Sequence, residues 1–347
     1  MFRMHDIIKS GKIYTIAEMS ANHAGRLDYA LEIVHKAAEI GASCLKIQTY
    51  TADTITINCH SDIFRVNGGL WDQEYLYDLY SRAYTPWEWQ KIIKKECDKF
   101  GIDFLSTPFD KTAVDFLEEI GCEAYKIASF EIVDIPLIEY TASKNKPMIM
   151  SVGMASKTEI EEAINACFKV GNRDVTILKC CSEYPSNPAN LNLCTIEDIR
   201  NSFGVQVGLS DHSLGYLSDV VAVAKGAKVI EKHFCLSRNI VNADSDFSTE
   251  PNEFKTMIEM VNTASSMMGT CFYGPSKGEL EEYKCRRSLF AVKDIKKDEI
   301  FTDDNIRSIR PNNGLDPKYY SSILGKKATV DIKFGTPLSV DMVEGLL

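Results

Sequence analysis

Two histidines that close a strand–helix–strand pattern have the best placement for chemistry. Residues 206–234 predict a strand, a loop, a helix and a second strand, with His212 just past the first strand and His233 ending the second. The carboxyl ends of parallel strands share one rim of a sheet or barrel, so the two imidazoles can meet. With the neighbouring carboxylates of Asp211 and Glu231 they would form an open divalent-metal site. The alternative is two unrelated histidines, one in a loop and one hydrogen-bonded beneath the rim.

Charged side chains in other predicted strands suggest an anion site. Glu18, Lys46 and Lys126 are each in phase with residues that would face a barrel interior, where a charge needs a partner. Four hydroxyl side chains flank the two lysines: Thr49, Thr107, Ser129 and Ser151. This set is suited to holding a phosphate and a carboxylate, although the lysines could instead pair with barrel carboxylates. Glu18 could orient or deprotonate a water, or pair with a lysine.

These residues lie in a regular alternation of predicted strands and helices. Strands are predicted at 13–19, 43–49, 102–106, 124–128, 147–151, 175–181, 205–210 and 228–233. Helices are predicted at 27–40, 86–100, 112–120, 136–143, 158–170, 195–203, 217–225 and 253–268. The alternation predicts an α/β fold, a (β/α)8 TIM barrel. An open doubly wound sheet is the competitor, but no Gly-rich phosphate fingerprint follows any strand.

Three segments depart from the alternation. Residues 1–12 predict a small hairpin closing the bottom of the barrel. The long connection between Thr49 and Pro86 predicts a wall or lid at the active-site rim, or an amphipathic helix packed on the barrel. Residues 269–287 are polar and contain Gly and Pro, as in a linker, and 288–347 predict a small β-rich domain of marginal stability on its own. The barrel domain is therefore expected over 1–268.

Composition restricts the partners and the compartment. The 347 residues carry a net charge of −10, which argues against nucleic acid or an anionic membrane but not against a small anionic substrate. Eleven scattered cysteines with no C-x-x-C pair fit reduced thiols. No apolar run reaches membrane length and the first residues lack an apolar signal core. A cytoplasmic protein is expected.

Six short blocks along the chain together resemble the sialic acid synthase family. They are IAEMSANHAG from Ile16, KIQTY from Lys46, STPF from Ser106, YKIAS from Tyr125, GLSDH from Gly208 and EKHF from Glu231. The C-terminal blocks KDIKKD and IRPNNG look like that family's antifreeze-like (SAF) domain. The resemblance covers essentially the whole chain and implies a TIM barrel followed by a SAF domain.

Four further blocks resemble the pseudaminic acid synthases of this family rather than its N-acetylneuraminate or legionaminate enzymes. They are GGLWD from Gly68, LYDLY from Leu76, TPWEW from Thr85 and CRRSL from Cys285. The resemblance implies that phosphoenolpyruvate, 2,4-diacetamido-2,4,6-trideoxy-L-altrose and water give pseudaminate and phosphate, for cell-surface and flagellin glycans. The alternative is a legionaminate or N-acetylneuraminate synthase with the same mechanism.

The resemblance also implies roles for the matching residues. His212 and His233 would bind a divalent ion, Mn²⁺ before Mg²⁺ or Co²⁺, which polarises the sugar's aldehyde. Glu18 would steer the water that adds to C2 of phosphoenolpyruvate. The residues implied to hold phosphoenolpyruvate are Lys46, Thr107, Lys126, Ser129, Ser151 and Ser210. The residues implied to contact the sugar or the metal shell are Ser182, Tyr184, Glu231, Asp244 and Arg310.

Two of these matches carry further implications. Ser182 replaces an asparagine of the N-acetylneuraminate enzymes, which weakens N-acetylmannosamine as the substrate. Arg310 matches a SAF-domain arginine that enters the partner's barrel and contacts an N-acetyl group, which implies a domain-swapped homodimer.

Two readings from other functional classes remain as alternatives. A sugar-binding or scaffold protein that had lost its chemistry should show damage among the charged residues and histidines, yet all of them are present. An aldolase acting on pyruvate through a Schiff-base lysine is disfavoured by the paired histidines and the hydroxyl-rich anion site.

Overall fold

A closed parallel barrel forms the first of two compact units, Met1–Gly269 and Thr270–Leu347, in a computed structural model that describes residues 2–346. Each barrel strand pairs with the next along the chain, and the last pairs with the first. The strands are β1 (Tyr14–Glu18), β2 (Cys44–Thr49), β3 (Asp103–Pro108), β4 (Tyr125–Ile127), β5 (Met148–Ser151), β6 (Val175–Cys180), β7 (Gln206–Asp211) and β8 (Val229–His233). The predicted (β/α)8 barrel is confirmed.

Helices alternate with these strands. They are α1 (Met4–Lys9), α2 (Leu27–Glu39), α3 (Ala52–Ile55), α4 (Leu76–Ala83), α5 (Trp87–Phe100), α6 (Lys111–Glu119), α7 (Ile135–Ala142), α8 (Lys157–Lys169), α9 (Thr195–Phe203), α10 (Leu217–Ala224) and α11 (Pro251–Met268). Between residues 2 and 346, no helix is long and apolar enough to cross a membrane.

Apolar side chains on both faces of the strands build two cores. Ala17 and Leu45 face outward and belong to the main core, in which the sheet packs against the helices. Ile16 and Leu105 face inward and belong to a separate cluster in the barrel interior. Because side chains alternate along a strand, the inward positions nearer the carboxyl ends must point into the barrel mouth.

Gly208 shows how tightly the interior is packed. A Cβ added at Gly208 would lie 2.3 Å from the carbonyl oxygen of Val229 and 2.6 Å from Cδ2 of Leu178. Only glycine therefore fits at this inward position of β7.

The hairpin predicted for residues 1–12 is wrong, because α1 occupies this segment. Met4, Ile7 and Ile8 share one face of that helix and pack on the apolar cluster of the barrel interior. Gly11, a residue type that is also common in hairpin turns, has φ of +87° and follows the end of the helix.

The long connection after β2 contains α3 and α4. The ring of Tyr80 on α4 packs edge-on against Tyr50, with 5.7 Å between the ring centroids. Near the tip of the same connection, Trp71 contacts Tyr184, with 5.5 Å between the ring centroids. The insertion thus packs on the barrel with one part and borders the barrel mouth with another.

The second unit is small and rich in β-structure. Its antiparallel strands β9 (Ser288–Ala291) and β10 (Ile306–Ile309) pair in register, and isolated bridges extend the pairing. Two short helices, α12 (Leu280–Tyr283) and α13 (Tyr320–Ile323), accompany the strands. Buried apolar residues such as Phe301 form a core of its own. The predicted small β-rich domain is confirmed.

Candidate active site

The carboxyl ends of the strands bring four charged side chains together, and we call this set the charged floor. It consists of Glu18 on β1, Lys46 on β2, Lys126 on β4 and Glu231 on β8. All four are almost fully buried, with exposed fractions of 1%, 3%, 2% and 5%. Strand register contributes directly, because Glu18 lies opposite Lys46 on one side and opposite His233 on the other.

The lysines of the charged floor contact its carboxylates. Lys46 Nζ lies 2.7 Å from Glu18 Oε2 and 3.4 Å from Glu231 Oε1. Lys126 Nζ lies 3.6 Å from Glu231 Oε1 and donates a hydrogen bond of 2.6 Å to Ser151 Oγ. The lysines therefore pair with barrel carboxylates, as one sequence interpretation had it. They also contact hydroxyl groups that could bind an anion, as the other interpretation requires.

Burial and charge together set the proton affinities of the floor. Burial raises the pKa of Glu18 to about 7, although Lys46 acts to lower it. Burial would also raise the pKa of Glu231, but Lys126 and Lys46 outweigh it and the net shift is downward. Burial lowers the pKa of Lys126, and the charge of Lys46 lowers it further. Glu18 thus has a pKa near neutral pH despite its contact with Lys46.

Most of the predicted hydroxyl side chains line the same space. Thr107 Oγ1 accepts a hydrogen bond of 3.4 Å from Lys46 Nζ, and Ser210 Oγ donates one of 3.4 Å to Glu231 Oε1. Ser129 Oγ accepts a hydrogen bond of 3.0 Å from the backbone N–H of Gly153.

Thr49 does not join the hydroxyls of the barrel mouth. Its Oγ1 donates to Gln90 Oε1 at 2.7 Å and lies 2.6 Å from Ser106 Oγ. Thr49 is three residues from Lys46, so it faces away from the barrel interior. Its proposed place beside the lysines is wrong.

The two histidines meet at the barrel mouth, with 5.4 Å between their ring centroids. His212 Nδ1 lies 2.9 Å from the carbonyl oxygen of Cys181, which can only accept, so Nδ1 carries a proton and Nε2 is the nitrogen left to bind an ion. Burial would lower the pKa of His212, but Cys180 and the Cys181 carbonyl outweigh it and the net shift is upward. Burial lowers the pKa of His233 well below its usual range, and the positive charge of His212 adds to this effect. His233 is therefore neutral, and its Nδ1 has no hydrogen-bond partner among the residues described.

Asp211, expected beside the histidines, is directed to the other side of the sheet. Its carboxylate contacts Lys232 Nζ and accepts a hydrogen bond of 3.0 Å from Ser213 Oγ. This placement follows from alternation, because Ser210 and His212 take the opposite face. Asp244 does place a carboxylate near the histidines, because its Oδ2 lies 4.0 Å from His233 Nδ1.

Within residues 2–346, no group of three or more His, Cys, Asp or Glu side chains is arranged to hold a metal ion. The pair formed by His212 and His233 nonetheless fits a divalent ion, because a neutral imidazole nitrogen is a common ligand. A backbone carbonyl fixes the tautomer of His212, as outer-shell partners of metal-binding histidines do.

Three rings border the histidines, and we call them the aromatic wall: Trp71, Tyr184 and Phe247. The Tyr184 centroid lies 4.3 Å from that of His212, and the Phe247 centroid lies 4.8 Å from that of His233. Within the wall, the rings of Tyr184 and Phe247 contact each other, with 5.2 Å between their centroids. The site therefore combines a charged floor with an apolar side.

The remaining predicted residues differ in position. Ser182 Oγ lies 4.0 Å from Cys180 Sγ at the end of β6, close to the histidines. Asp244 Oδ2 accepts a hydrogen bond of 2.9 Å from the backbone N–H of Ala21. Arg310 belongs to the second compact unit, where it is exposed.

Residues that the sequence interpretation did not assign to the site also lie in it. Gln48 Nε2 donates to Glu18 Oε1 at 3.1 Å, and its phase with Lys46 was a usable signal. Cys180 Sγ lies 3.8 Å from His212 Nδ1. Burial raises the pKa of Glu131, just past β4, to about 7. Cys180 ends an inward-facing row of β6, whereas nothing in the sequence distinguished Glu131.

Comparisons with known proteins agree with this architecture. The NeuB family model matches residues 33–272, and the SAF domain model matches residues 286–344. A pseudaminic acid synthase of Campylobacter jejuni is 45% identical over 327 residues, which cover 94% of this chain and 95% of that protein. A pseudaminic acid synthase of Helicobacter pylori is 44% identical over 330 residues, which cover 95% of this chain and 97% of that protein.

A solved structure is also similar over most of its length. The crystal structure of an N-acetylneuraminic acid (sialic acid) synthetase from Leptospira borgpetersenii, in complex with citrate, matches with a TM-score of 0.70 and 31% identity. The match covers 78% of this chain and 90% of that one.

Proposed function

The chain belongs to the NeuB family, and from this premise we propose that it condenses phosphoenolpyruvate with 2,4-diacetamido-2,4,6-trideoxy-L-altrose and water to give pseudaminate and phosphate. Relatives named pseudaminic acid synthase match nearly its whole length. The observation that carries the proposal is that two buried lysines, Lys46 and Lys126, and the imidazoles of two histidines lie in one barrel mouth.

The charged floor supports the binding of phosphoenolpyruvate. Phosphoenolpyruvate carries a phosphate and a carboxylate. Lys46 and Lys126 supply two ammonium groups in a nearly dry site, where charge-assisted hydrogen bonds are strong. The hydroxyl groups of Ser151 and Thr107 contact these ammonium groups and can donate hydrogen bonds to the same anion. The incoming anion would compete with Glu231 for both lysines.

The reaction needs a new carbon–carbon bond and the release of phosphate. C3 of phosphoenolpyruvate attacks the aldehyde carbon of the open-chain sugar, whose oxygen gains a proton, and positive charge develops at C2. Water adds at C2, and the tetrahedral intermediate then expels phosphate by breaking the bond from C2 to the bridging oxygen. Glu18 contacts Lys46 and Gln48 on the floor, where a deprotonated carboxylate would orient this water and accept its proton.

A divalent ion is part of the proposal, and His212 and His233 would hold it. Such an ion, when bound, acts as a Lewis acid that polarises the aldehyde. Mn²⁺ is the proposed ion, with Mg²⁺ and Co²⁺ as alternatives. The carbonyl of Cys181 accepts from His212 Nδ1, so Nε2 is the nitrogen that would bind the ion, and burial keeps His233 neutral.

Arg310 and a second copy of the chain complete the proposal. Arg310 would contact an N-acetyl group of the sugar in the partner's barrel, within a domain-swapped homodimer. Burial against a neighbour would also stabilise a domain of this size. We expect the enzyme in the cytoplasm, where reduced thiols are the rule, and all eleven cysteines are free.

Phosphate release with defined sugars tests the proposed function. Phosphoenolpyruvate is paired in turn with the diacetamido-trideoxy-altrose, the sugar of the legionaminate pathway and N-acetylmannosamine, with Mn²⁺ and after EDTA. We expect metal-dependent turnover with the altrose sugar and at least tenfold lower kcat/KM with the others. Preference for another sugar would contradict the substrate, and release of no phosphate by folded, metal-loaded protein would contradict the activity.

A further inference from the structure

We propose that Trp71 determines specificity for the deoxygenated C6 end of the sugar. This inference rests on the proposed function and adds a residue that recognises the 6-methyl group. Trp71 lies in the long connection after β2, and its indole ring would form the outermost part of the aromatic wall.

The aromatic wall extends outward from the histidines one ring at a time. Tyr184 lies 4.3 Å from His212, and Trp71 lies beyond it, 5.5 Å from Tyr184 between ring centroids. Trp71 also approaches Phe247, at 6.5 Å with the rings nearly perpendicular. The three rings therefore give one continuous apolar surface that begins at the histidines and ends at Trp71.

Two hydrogen bonds hold Trp71 in this position. Its Nε1–H donates to the carbonyl oxygen of Ala243 at 3.0 Å, which ties the insertion to the segment after β8. The backbone N–H of Gly68 donates to Asp72 Oδ1 at 2.6 Å and closes the loop that carries the indole. Ala243 directly precedes Asp244, so the tie ends next to a predicted sugar contact.

The division of the site between floor and wall indicates which part of the sugar meets Trp71. Phosphoenolpyruvate is the anionic substrate and belongs on the lysines, so the neutral sugar is left with the wall. Its reacting carbon, C1, must lie beside the histidines and the floor. The far end of the sugar chain, C5 and C6, then extends along the wall toward the ring most distant from the histidines, which is Trp71.

The chemistry of C6 fits an indole surface. A methyl group at C6 packs on an aromatic face without cost, whereas a hydroxymethyl group there would lose a hydrogen bond to water. An apolar pocket discriminates against an added hydroxyl by roughly 100-fold. Trp71 would thus favour a 6-deoxy sugar over its 6-hydroxy counterpart.

The test compares two sugars that differ only at C6. The diacetamido-trideoxy-altrose and its 6-hydroxy analogue are assayed with wild type, Trp71→Leu and Trp71→Phe at saturating phosphoenolpyruvate. We expect wild type to prefer the 6-deoxy sugar by roughly 100-fold in kcat/KM. Trp71→Leu should reduce this preference at least tenfold, mainly through KM for the 6-deoxy sugar, while KM for phosphoenolpyruvate changes less than twofold. Trp71→Phe keeps a ring and should keep more of the preference.

Trp87→Leu is the matched control. Trp87 also donates its indole N–H to a backbone carbonyl, that of Tyr50 at 3.1 Å, but its ring packs on Phe116. The sugar preference of this variant should equal that of wild type. Equal losses in Trp71→Leu for both sugars, or an unchanged preference, would overturn the role of Trp71 while leaving the proposed function intact.

Fluorescence gives a second measurement that needs no turnover. In a Trp87→Phe/Trp89→Phe background only Trp71 contributes tryptophan emission, since the chain has three tryptophans. The 6-deoxy sugar added with phosphoenolpyruvate should change this emission, whereas phosphoenolpyruvate alone should not. No change at saturating sugar would overturn the proposal. Absence of any 6-deoxy preference in wild type would overturn the specificity role and the proposed substrate together.

Discussion

Glu18 is a buried carboxyl group whose pKa is shifted in opposite directions by its surroundings. Burial and the charge of Glu231 raise its pKa, and Lys46 lowers it, with a result of about 7. Gln48 Nε2 donates to one oxygen of this carboxyl, and Lys46 contacts the other. A group with this pKa can both release and accept a proton near neutral pH, as a catalytic base requires.

The pH dependence of the reaction should therefore report on Glu18. Only the deprotonated form can accept a proton from water, so kcat/KM for wild type should fall as the pH drops through about 7. In Glu18→Gln the group cannot ionise, so this limb should disappear and the rate should fall about 100-fold or more. A Glu18→Gln profile that keeps the same acid limb would show that another group titrates.

Loss of either histidine should weaken metal binding. The electron paramagnetic resonance signal of free Mn²⁺ measures binding without any need for turnover. We expect wild type to bind one ion per chain, and His212→Ala and His233→Ala to bind at least 100-fold more weakly, because each removes one ligand. The control is His35→Ala, whose Nε2 contacts Glu96 on the outside of the barrel. Equal Mn²⁺ affinity in all four proteins would exclude the histidine site.

Strand phase was the sequence signal that placed individual residues. It predicts Glu18, Lys46 and Lys126 facing inward, and the structure brings these side chains together with Glu231. The same rule, applied strictly, would have directed Thr49 and Asp211 outward. Trp71 and Phe247 come from connections that show no hydrophobic period, so only the folded chain shows that they meet Tyr184.

Strands β7 and β8 position the pair of histidines, and a buried cluster behind the strands fixes their register. Asp211 lies opposite Lys232 in the strand pairing, and their side chains form an ion pair outside the barrel. Lys232 Nζ also donates to the carbonyl oxygen of Ser213 at 2.6 Å, in the loop that follows His212. The neighbours of Asp211 and Lys232 along the two segments face the barrel interior and belong to the site: Ser210, His212, Glu231 and His233.

Removing Lys232 should destabilise the fold strongly. Lys232→Met would leave the buried Asp211 carboxylate without its cation, which costs about 3–5 kcal/mol in free energy of unfolding. Urea denaturation measures the change. Asp211→Asn combined with Lys232→Met should recover much of the loss, because the unpaired charge is then absent.

An exposed ion pair serves as the control for this experiment. Lys157 and Asp198 are 60% and 61% exposed, and their charged atoms are 3.1 Å apart. Lys157→Met should change stability little, because solvent screens the pair. If Lys232→Met were no more costly than Lys157→Met, the cluster would not fix the strand pair.

Element types were largely predictable from sequence. The alternation of apolar strand and helix patterns located all eight barrel strands within a few residues. The helix in the N-terminal segment was not predictable, because six helical residues give little periodic signal. The burial of Met4 follows from its packing on the apolar cluster of the barrel interior, which only the fold shows.

At the scale of the whole molecule, the chain consists of two compact units, and Arg310 is in the second. The proposed domain swap makes a specific demand, since each active site would need a barrel from one chain and Arg310 from another. Sequence could suggest this arrangement only through family resemblance, because the proposed contacts would lie between chains.

Complementation between two inactive variants tests the swap. Arg310→Ala has an intact barrel, and Glu18→Gln has an intact arginine. Mixed and allowed to exchange subunits, they should form heterodimers with one complete site each, and activity should rise to about a quarter of wild type. Activity of the mixture equal to the sum of the separate variants, despite demonstrated exchange, would place Arg310 in its own chain's site.

In the proposed reaction this barrel mouth joins phosphoenolpyruvate to the altrose sugar, with water added at C2 and the C–O bond of phosphoenolpyruvate broken. Phosphoenolpyruvate labelled with ¹⁸O at the bridging oxygen is turned over with Mn²⁺ and the diacetamido-trideoxy-altrose, and both products are analysed by mass spectrometry. We expect the released phosphate to carry the label and pseudaminate to carry none from this position. Label retained in the sugar acid would mean cleavage of the P–O bond and would contradict the mechanism.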